Sequence, residues 1–419
     1  MELLKISLFL TGFFSLFAIP RYHGFIIVDI FLLSSFFISL IFVFIKKNIM
    51  LSKFELFFLS IGLLYYAVVQ IGTLNYYNFS GLLTAQLFFL AFLIIFMSYK
   101  LNDDLSLIFV FIKGFIYSAL ITAVFIIIEE IYYYAEGFKS LSYILFNKFV
   151  PKDVYLTIFI YIKGLGAIYR PSGFSWDPGL SVTALVIAFI LIRESIVYVK
   201  FKKSILLLLF LSIMISIDKT SIITIFLYLI FKFFQNKWMV LYPKFKIHFL
   251  SIVLIFSFLF LLYFGLFIQY NISNLDYHHL KYLGSLFYLY KENPLEFLFG
   301  FGYKGIGSFF NHNINWLKSE NFKFSKGTSP ESTLTDMFFY GGIIGLFYWG
   351  FTFFYSYVKG DNRIKLLMFS MFFILYGYTI NSTWFNCIYI SIFFLSYHNY
   401  KNQKELLLGE TGTINDKVI

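Results

Sequence analysis

The chain has 419 residues, of which 60% are hydrophobic and only 13% are charged, against about 45–50% and about 25% in soluble globular proteins. So few charges cannot cover a soluble core that buries 61 Phe and 33 Tyr, which excludes a soluble protein and predicts one polytopic membrane domain. The net charge of +11 is then a sign of cytoplasmic loops rather than of nucleic-acid binding, and a single cysteine excludes an internal disulfide and a cysteine-based metal cage.

Segments of about 20 mostly apolar residues predict an all-α bundle of about twelve transmembrane helices. In chain order the predicted spans are 4–19, 25–45, 54–71, 79–98, 107–128, 178–193, 204–217, 218–234, 247–268, 334–358, 364–380 and 383–397. The first is interpreted as an uncleaved span, because no cleavage site of small residues follows it. The pair 204–217 and 218–234 has one kinked hairpin as its alternative. Residues 1–400 form the membrane domain in this prediction, and residues 401–419 form a polar cytoplasmic tail.

The positions of Lys and Arg predict the orientation, since cytoplasmic loops of membrane proteins are enriched in them. With the N-terminus inside, the short outer connections carry only Arg21 and Lys219. Both termini are therefore expected in the cytoplasm, and the two long loops, residues 129–177 and 269–333, on the outer face. Both loops carry amphipathic stretches and are expected to contain amphipathic helices; in the second loop, apolar residues recur at helical spacing over residues 280–290 and predict a helix on the membrane surface or packed over the bundle.

Four segments between spans carry polar residues suited to chemistry at the outer face. The first, residues 169–179, contains Arg170 among Gly and Pro. A guanidinium offers a fork of donors that suits phosphate oxygens, and pairing with Asp177 or with lipid headgroups is the alternative. The second, residues 216–221, places an Asp-Lys pair between two apolar runs, where a plain outer turn is the alternative.

The third segment, residues 293–307, is rich in glycine and predicts close backbone approach in a folded loop rather than nucleotide binding. The fourth, residues 329–345, places Glu331 at the outer mouth of a span, with Asp336 inside the span and small residues that allow close helix packing. A carboxylate that favours the helix start is the alternative reading of Glu331. The six histidines lack metal-ligand spacing, so no metal site is expected.

Taken in order, the four segments resemble the motifs of the O-antigen polymerase (Wzy) and O-antigen ligase family of membrane glycosyltransferases. The resemblance covers residues 160–350 by motif and the whole chain by topology. It rests on the Arg-Pro-Gly segment, an Asp-Lys-Thr element between spans, a stretched Pro-Leu and Gly-Phe-Gly loop, and Glu331-Ser332 followed after nine residues by Gly-Ile-Ile-Gly. Ligases carry His where this chain has Glu331, which favours a polymerase. An Arg common in the family's second loop is replaced here by His279 and Lys281.

The resemblance implies an enzyme that joins oligosaccharide repeat units, carried on undecaprenyl diphosphate, into O-antigen or capsular polysaccharide at the outer face of the bacterial cytoplasmic membrane. It implies that cations hold the diphosphate leaving group, here Arg170, Lys219, His279 and Lys281. Glu331 would accept the proton of the attacking sugar hydroxyl. Four aromatic residues are expected to be exposed and available to stack on sugar faces: Tyr169, Trp176, Tyr303 and Trp316. Anchoring at the membrane interface is the commoner role of such residues and is the alternative.

No metal or cofactor is expected for this reaction, because the cations of the protein itself would hold the diphosphate. The implied partners are the lipid-linked oligosaccharide and membrane lipid, with a flippase and a chain-length regulator as candidate protein partners and no nucleic acid. Three alternatives stay open: a ligase of the same fold, a lipid-linked oligosaccharide flippase or other transporter, and a membrane scaffold without enzymatic activity. A transporter should show charged residues at mid-membrane depth and an internal repeat. Lys113 is the clearest basic residue deep in a span and no repeat is found, which disfavours a transporter.

Overall fold

The structure is a computed structural model that describes residues 1–17, 27–46, 50–76, 79–101, 105–136, 141, 159–162, 166–174, 178–241, 290, 293–303, 305, 333–377 and 382–415. These residues are mostly helical. The helices are α1 (Glu2–Phe13), α2 (Ile27–Lys46), α3 (Lys53–Tyr76), α4 (Phe79–Leu101), α5 (Ser106–Ala135), α6 (Pro178–Arg193), α7 (Lys202–Ile215), α8 (Lys219–Leu241), α9 (Pro294–Phe299), α10 (Thr333–Lys359), α11 (Asn362–Gly377) and α12 (Thr383–Asn415). Two short strands, β1 (Phe159–Ile162) and β2 (Gly166–Tyr169), pair with each other.

The prediction of a multi-pass membrane protein agrees with the helices. Among the described residues, α2, α3, α4, α5 and α10 are long and apolar enough to cross a membrane. A helix also occupies every other predicted span except 247–268, which lies outside the described residues. However, α6 and α7 have 16 and 14 residues, fewer than the about 20 that a perpendicular crossing needs. The count of about twelve spans therefore stays a prediction.

Neighbouring helices in the first half of the bundle alternate in direction. α1 runs antiparallel to α2, as the side-chain contacts between the two helices show. It runs parallel to α5, since Gly12 packs on Gly114 and Leu16 lies against Ser118. α2 and α4 end together, because the last lysine of α2 donates to the final carbonyls of α4. α3 runs against α4, where a lysine at the end of α4 pairs with Glu55 near the start of α3. α3 and α5 therefore end at one end of the bundle, called the loop end below.

The second half of the bundle follows the same alternation. α6 starts and α7 ends beside the end of α5, and α8 starts next to the end of α7. α10 and α12 run against α3, so both start at the loop end. Most of the basic residues assigned to the cytoplasm lie at the opposite, basic end, where their contacts include Lys46 with the end of α4, Lys100 with Glu55, and Lys232 with Glu194.

The all-α expectation does not hold in the described part of the first long loop, which contains two strands. β1 and β2 form an antiparallel hairpin with Phe159 opposite Tyr169 and Ile162 opposite Gly166. The run of aromatic and β-branched residues in β1 favours a strand. The helix predicted over 107–128 also continues to Ala135, a further two turns. This extension carries Glu129 to the place where the hairpin returns to the bundle.

Candidate functional site

Arg170 and the Asp-Lys pair, which the sequence placed in two separate segments, lie together at the loop end. The Arg170 Nη2 atom donates to Asp218 Oδ1 at 3.1 Å, and its Nε donates to the Ser216 carbonyl at 3.4 Å. The side chains of Arg170 and Asp218 are 17% and 8% exposed. Arg170 therefore pairs with Asp218, and the alternative partner Asp177 lies outside the described residues.

Asp218 also organises the turn between α7 and α8. Its Oδ2 accepts a hydrogen bond from the Ser221 N–H at 2.9 Å, which caps the start of α8. The preceding residue, Ile217, has a left-handed φ of 47°, which costs free energy for a β-branched residue. Lys219 follows, exposed, and none of the described carboxylates forms an ion pair with it. Two cationic side chains thus meet at this turn: Arg170, which pairs with Asp218 from the segment after β2, and Lys219, which is exposed.

The buried carboxylate of Glu129, at the end of α5, holds the segment that carries Arg170. Its Oε1 accepts a hydrogen bond from the Tyr169 hydroxyl at 2.6 Å, and its Oε2 accepts one from the Gly173 N–H at 3.0 Å. Both bonds flank Arg170, so Glu129 fixes the backbone on either side of it. The sequence analysis missed Glu129 because it assigned residues from 129 onward to a loop. The sequence signal for Glu129 was a carboxylate directly after a long apolar run. The loop that follows it is rich in hydroxyl and amide donors.

The glycine-rich third segment packs on the ends of α3 and α10, as the predicted close backbone approach requires. The Phe301 N–H donates to the Phe339 carbonyl at 2.7 Å, and the Gly302 N–H donates to the Tyr340 carbonyl at 3.0 Å. On the other side, Gly302 touches the backbone of Thr73. A backbone-to-backbone contact of this kind has no room for a side chain. The third and fourth segments are therefore joined through α10.

We expect Gly302→Ala to destabilise the protein by about 3 kcal/mol or more. Gly302 has a φ of +71°, and a Cβ atom there would lie 2.0 Å from the Thr73 nitrogen, so neither the loop nor α3 can accommodate it. The matched control is Gly350→Ala in α10, where a Cβ meets nothing within 4 Å. Thermal unfolding of the purified protein in detergent compares the two. Equal melting temperatures for both variants would contradict the packing of this loop.

A small cleft with a volume of about 40 Å³ lies between α3, α4, α10 and α12 at the loop end. Asp336, in the first turn of α10, lines it and is only 1% exposed. The other lining residues are Tyr65, Tyr66, Val69, Phe88, Thr333, Met337, Tyr340, Trp349, Ser382, Phe385 and Asn386. The cleft thus combines aromatic walls with a carboxylate and several uncharged polar groups, at the same end of the bundle as Arg170.

Two expectations about aromatic residues are wrong. Tyr303 is 7% exposed and packs against Phe88 and Tyr340, so its ring does not face solvent as a sugar platform would. Tyr169 is 1% exposed and stacks on Tyr133 with ring centroids 4.0 Å apart. The physical reason is packing on the bundle: the end of β2 brings Tyr169 onto Glu129 and Tyr133, and Tyr303 follows Gly302, which lies against the backbone of Thr73.

The remaining predicted site residues lie outside the described residues: Trp176, His279, Lys281, Trp316 and Glu331. Asp336 is described, and its position within α10 agrees with the prediction that it belongs to the span. In the described part of the chain, no three His, Cys, Asp or Glu side chains come together as a metal site would require. The chain matches no protein-family profile and shows no significant similarity to a curated protein.

Proposed function

We propose that the protein is a bacterial membrane glycosyltransferase that polymerises oligosaccharide repeat units carried on undecaprenyl diphosphate. The bond between the anomeric carbon of the growing chain and its diphosphate breaks, and a hydroxyl of the next lipid-linked unit bonds to that carbon. The hydroxyl proton passes to a base, and the lipid diphosphate leaves with the electron pair. The product is a glycan longer by one repeat unit, still attached to the second lipid carrier.

The observation that supports this proposal is the meeting of Arg170 with the Asp218-Lys219 turn. Two cationic side chains at one place are what a diphosphate leaving group needs, because its negative charge grows as the bond to the sugar breaks. Arg170 uses one N–H for Asp218 and one for the Ser216 carbonyl, and a guanidinium has five N–H donors, so its remaining donors suit phosphate oxygens. The cleft lined by Asp336 lies at the same end of the bundle and supplies a second, polar binding region.

Deletion of the gene, followed by electrophoresis of the surface glycan, tests the proposed function. A polymerase deletion leaves a single repeat unit attached and removes the ladder of longer chains. Loss of all attached glycan would contradict the polymerase and favour the ligase or the flippase. An unchanged ladder would reject all three and favour a scaffold without enzymatic activity.

The reaction needs the loop end of the bundle on the outer face, which places both termini in the cytoplasm of a multi-pass inner-membrane protein. We expect alkaline phosphatase fused at Asn147 or Ser319 to be active, and green fluorescent protein fused at Gln403 to fluoresce. The reason is that basic residues lie mainly at the opposite end of the described bundle. A cytoplasmic signal from Ser319 would put the site on the wrong side for a lipid-linked glycan and would reject the proposed function.

A further inference from the structure

The connection between α6 and α7, with the first two residues of α7, combines positive charge and exposed aromatic rings at the basic end of the bundle. This segment, residues 194–203, is called the basic turn below. Lys200 and Lys203 are exposed, and among the described residues no carboxylate forms an ion pair with either of them. Tyr198 is 85% exposed and Phe201 is 72% exposed. Exposed cations next to large exposed rings are typical of a surface that meets lipid headgroups.

Glu194, the one acidic residue of the basic turn, does not offset the charge of the exposed lysines. It is 4% exposed, and it accepts hydrogen bonds from the Lys232 ammonium group and from the Tyr228 hydroxyl, both on α8. The charge of Glu194 is therefore balanced inside the bundle by a lysine of another helix. The outer surface of the basic turn keeps the full positive charge of its own lysines, which attracts an anionic group.

The basic turn is held in one conformation by its contacts with the end of α6. Lys202 Nζ donates to the Arg193 carbonyl at 3.0 Å and to the Ser195 hydroxyl at 2.7 Å, which satisfies a carbonyl that the end of α6 leaves without an intrahelical partner. Val197 is 3% exposed and anchors the middle of the turn in the core. One lysine thus closes the turn, whereas the two exposed lysines remain available to a ligand at fixed positions.

The lengths of α6 and α7 bring the basic turn to the headgroup layer of a bilayer. At 1.5 Å per residue, their 16 and 14 residues extend about 24 and about 21 Å. The hydrocarbon core of a bilayer is about 30 Å thick. Helices of this length cannot lift the turn clear of the bilayer when their other ends lie at the opposite face. The two lysines then lie beside lipid phosphates, and the rings of Tyr198 and Phe201 lie at the interface, where aromatic side chains are favoured.

We propose that the basic turn is a binding site for the headgroup of an anionic phospholipid. Lys200 and Lys203 each offer three N–H donors to the phosphate oxygens, and Tyr198 and Phe201 contact the glycerol region and the upper acyl chains. A zwitterionic lipid also carries a phosphate, but its own ammonium group is repelled by the two lysines, so it binds more weakly. The site is independent of the proposed function, because it requires neither a glycan nor a lipid diphosphate.

Native mass spectrometry of the full-length protein in detergent tests the site. The probes are palmitoyl-oleoyl phosphatidylglycerol, which is anionic, and the matching phosphatidylcholine, which is zwitterionic. We expect phosphatidylglycerol to bind more tightly. The double variant Lys200→Gln with Lys203→Gln should weaken its binding by about 10- to 30-fold, since each lysine beside an anionic lipid contributes about 5-fold.

The matched control is the double variant Lys53→Gln with Lys401→Gln. It removes the same charge from two exposed lysines that lie outside the basic turn, so it should leave the affinity for phosphatidylglycerol nearly unchanged. All four substitutions are on the surface, where they do not disturb folding. Equal affinity for the two lipids, or an unchanged affinity in the Lys200→Gln with Lys203→Gln variant, overturns the proposal. An equal loss in both double variants also overturns it and reduces the binding to overall charge.

The depth of the basic turn in a bilayer provides a second test. A nitroxide spin label is attached to the Tyr198→Cys variant, in vesicles of phosphatidylcholine with one quarter phosphatidylglycerol. The native Cys387 is 1% exposed, so the label reacts only with the introduced cysteine. We expect the collision rates of the label with oxygen and with a water-soluble nickel complex to place it at the level of the headgroups. A label as accessible to the nickel complex as one in bulk water would lie clear of the bilayer and would reject the site.

Discussion

Replacing Arg170 with alanine is expected to lower polymerisation by at least about 100-fold, because removal of one preorganised donor to a developing negative charge typically costs that much. Arg170→Lys keeps the charge but loses the planar fork of donors, so it should retain partial activity. The measurement is the length distribution of the surface glycan in cells whose membranes contain equal amounts of each variant. Full-length ladders from Arg170→Ala cells would end the assignment of Arg170 to the diphosphate.

The ion pair with Asp218 provides a control for this experiment. Arg170→Ala leaves the Asp218 carboxylate, 8% exposed, without its cationic partner, which by itself destabilises a protein. If Arg170 only neutralises Asp218, the double variant Arg170→Ala with Asp218→Asn removes both charges and should recover activity. If Arg170 binds the diphosphate, the double variant stays inactive, and Asp218→Asn alone keeps activity because Arg170 is still present. Asp218→Asn also retains a side chain that can cap α8.

Glu129 tests whether the position of Arg170 matters as well as its charge. Glu129→Gln keeps the shape but leaves one acceptor oxygen in place of two, so one of the hydrogen bonds donated by the Tyr169 hydroxyl and the Gly173 N–H loses its acceptor. We expect reduced activity with an intact protein level, and a smaller loss than for Arg170→Ala. A variant that is degraded rather than impaired would assign Glu129 to stability alone.

The agreement between sequence and structure is best where one physical signal dominates. Long apolar runs have a single stable form in lipid, an α-helix, so the helices of the described spans were predictable. The sequence also predicts that most Lys and Arg residues collect at one end of the bundle. Lys100, which pairs with Glu55 at the basic end, is an example. The glycine-rich segment was read correctly as a close backbone approach, since Gly302 does touch the backbone of Thr73.

The disagreements concern polar contacts between residues distant in sequence. The pairing of Arg170 with Asp218 joins residues 48 positions apart, and hydropathy gives no information about such a contact. Burial of Tyr303 depends on packing against α4 and α10, which a local pattern of glycine and aromatic residues does not show. The hairpin of β1 and β2 was missed because the first loop was judged by its length and amphipathic character rather than by strand propensity.

Glu331→Gln is expected to lower the rate of polymerisation by about 10²–10⁴-fold, the contribution of a positioned general base. A glutamate carboxylate can accept the proton of the attacking hydroxyl. Glutamine keeps the shape but cannot accept that proton. Glu331→His is a sharper probe, because it introduces the residue that the related ligases carry and should retain some turnover.

Asp336 is the carboxylate that competes for this role, and its position in the cleft wall makes a distinct outcome possible. If Glu331 is the base and Asp336 contacts the acceptor sugar, Glu331→Gln lowers kcat, whereas Asp336→Asn mainly raises KM for the acceptor. An amide can still accept one hydrogen bond from a sugar hydroxyl, so Asp336→Asn should keep measurable turnover at high acceptor concentration. Purified enzyme with a lipid-linked repeat unit gives both constants. Normal turnover by Glu331→Gln together with none by Asp336→Asn would make Asp336 the base and the motif alignment at Glu331 wrong.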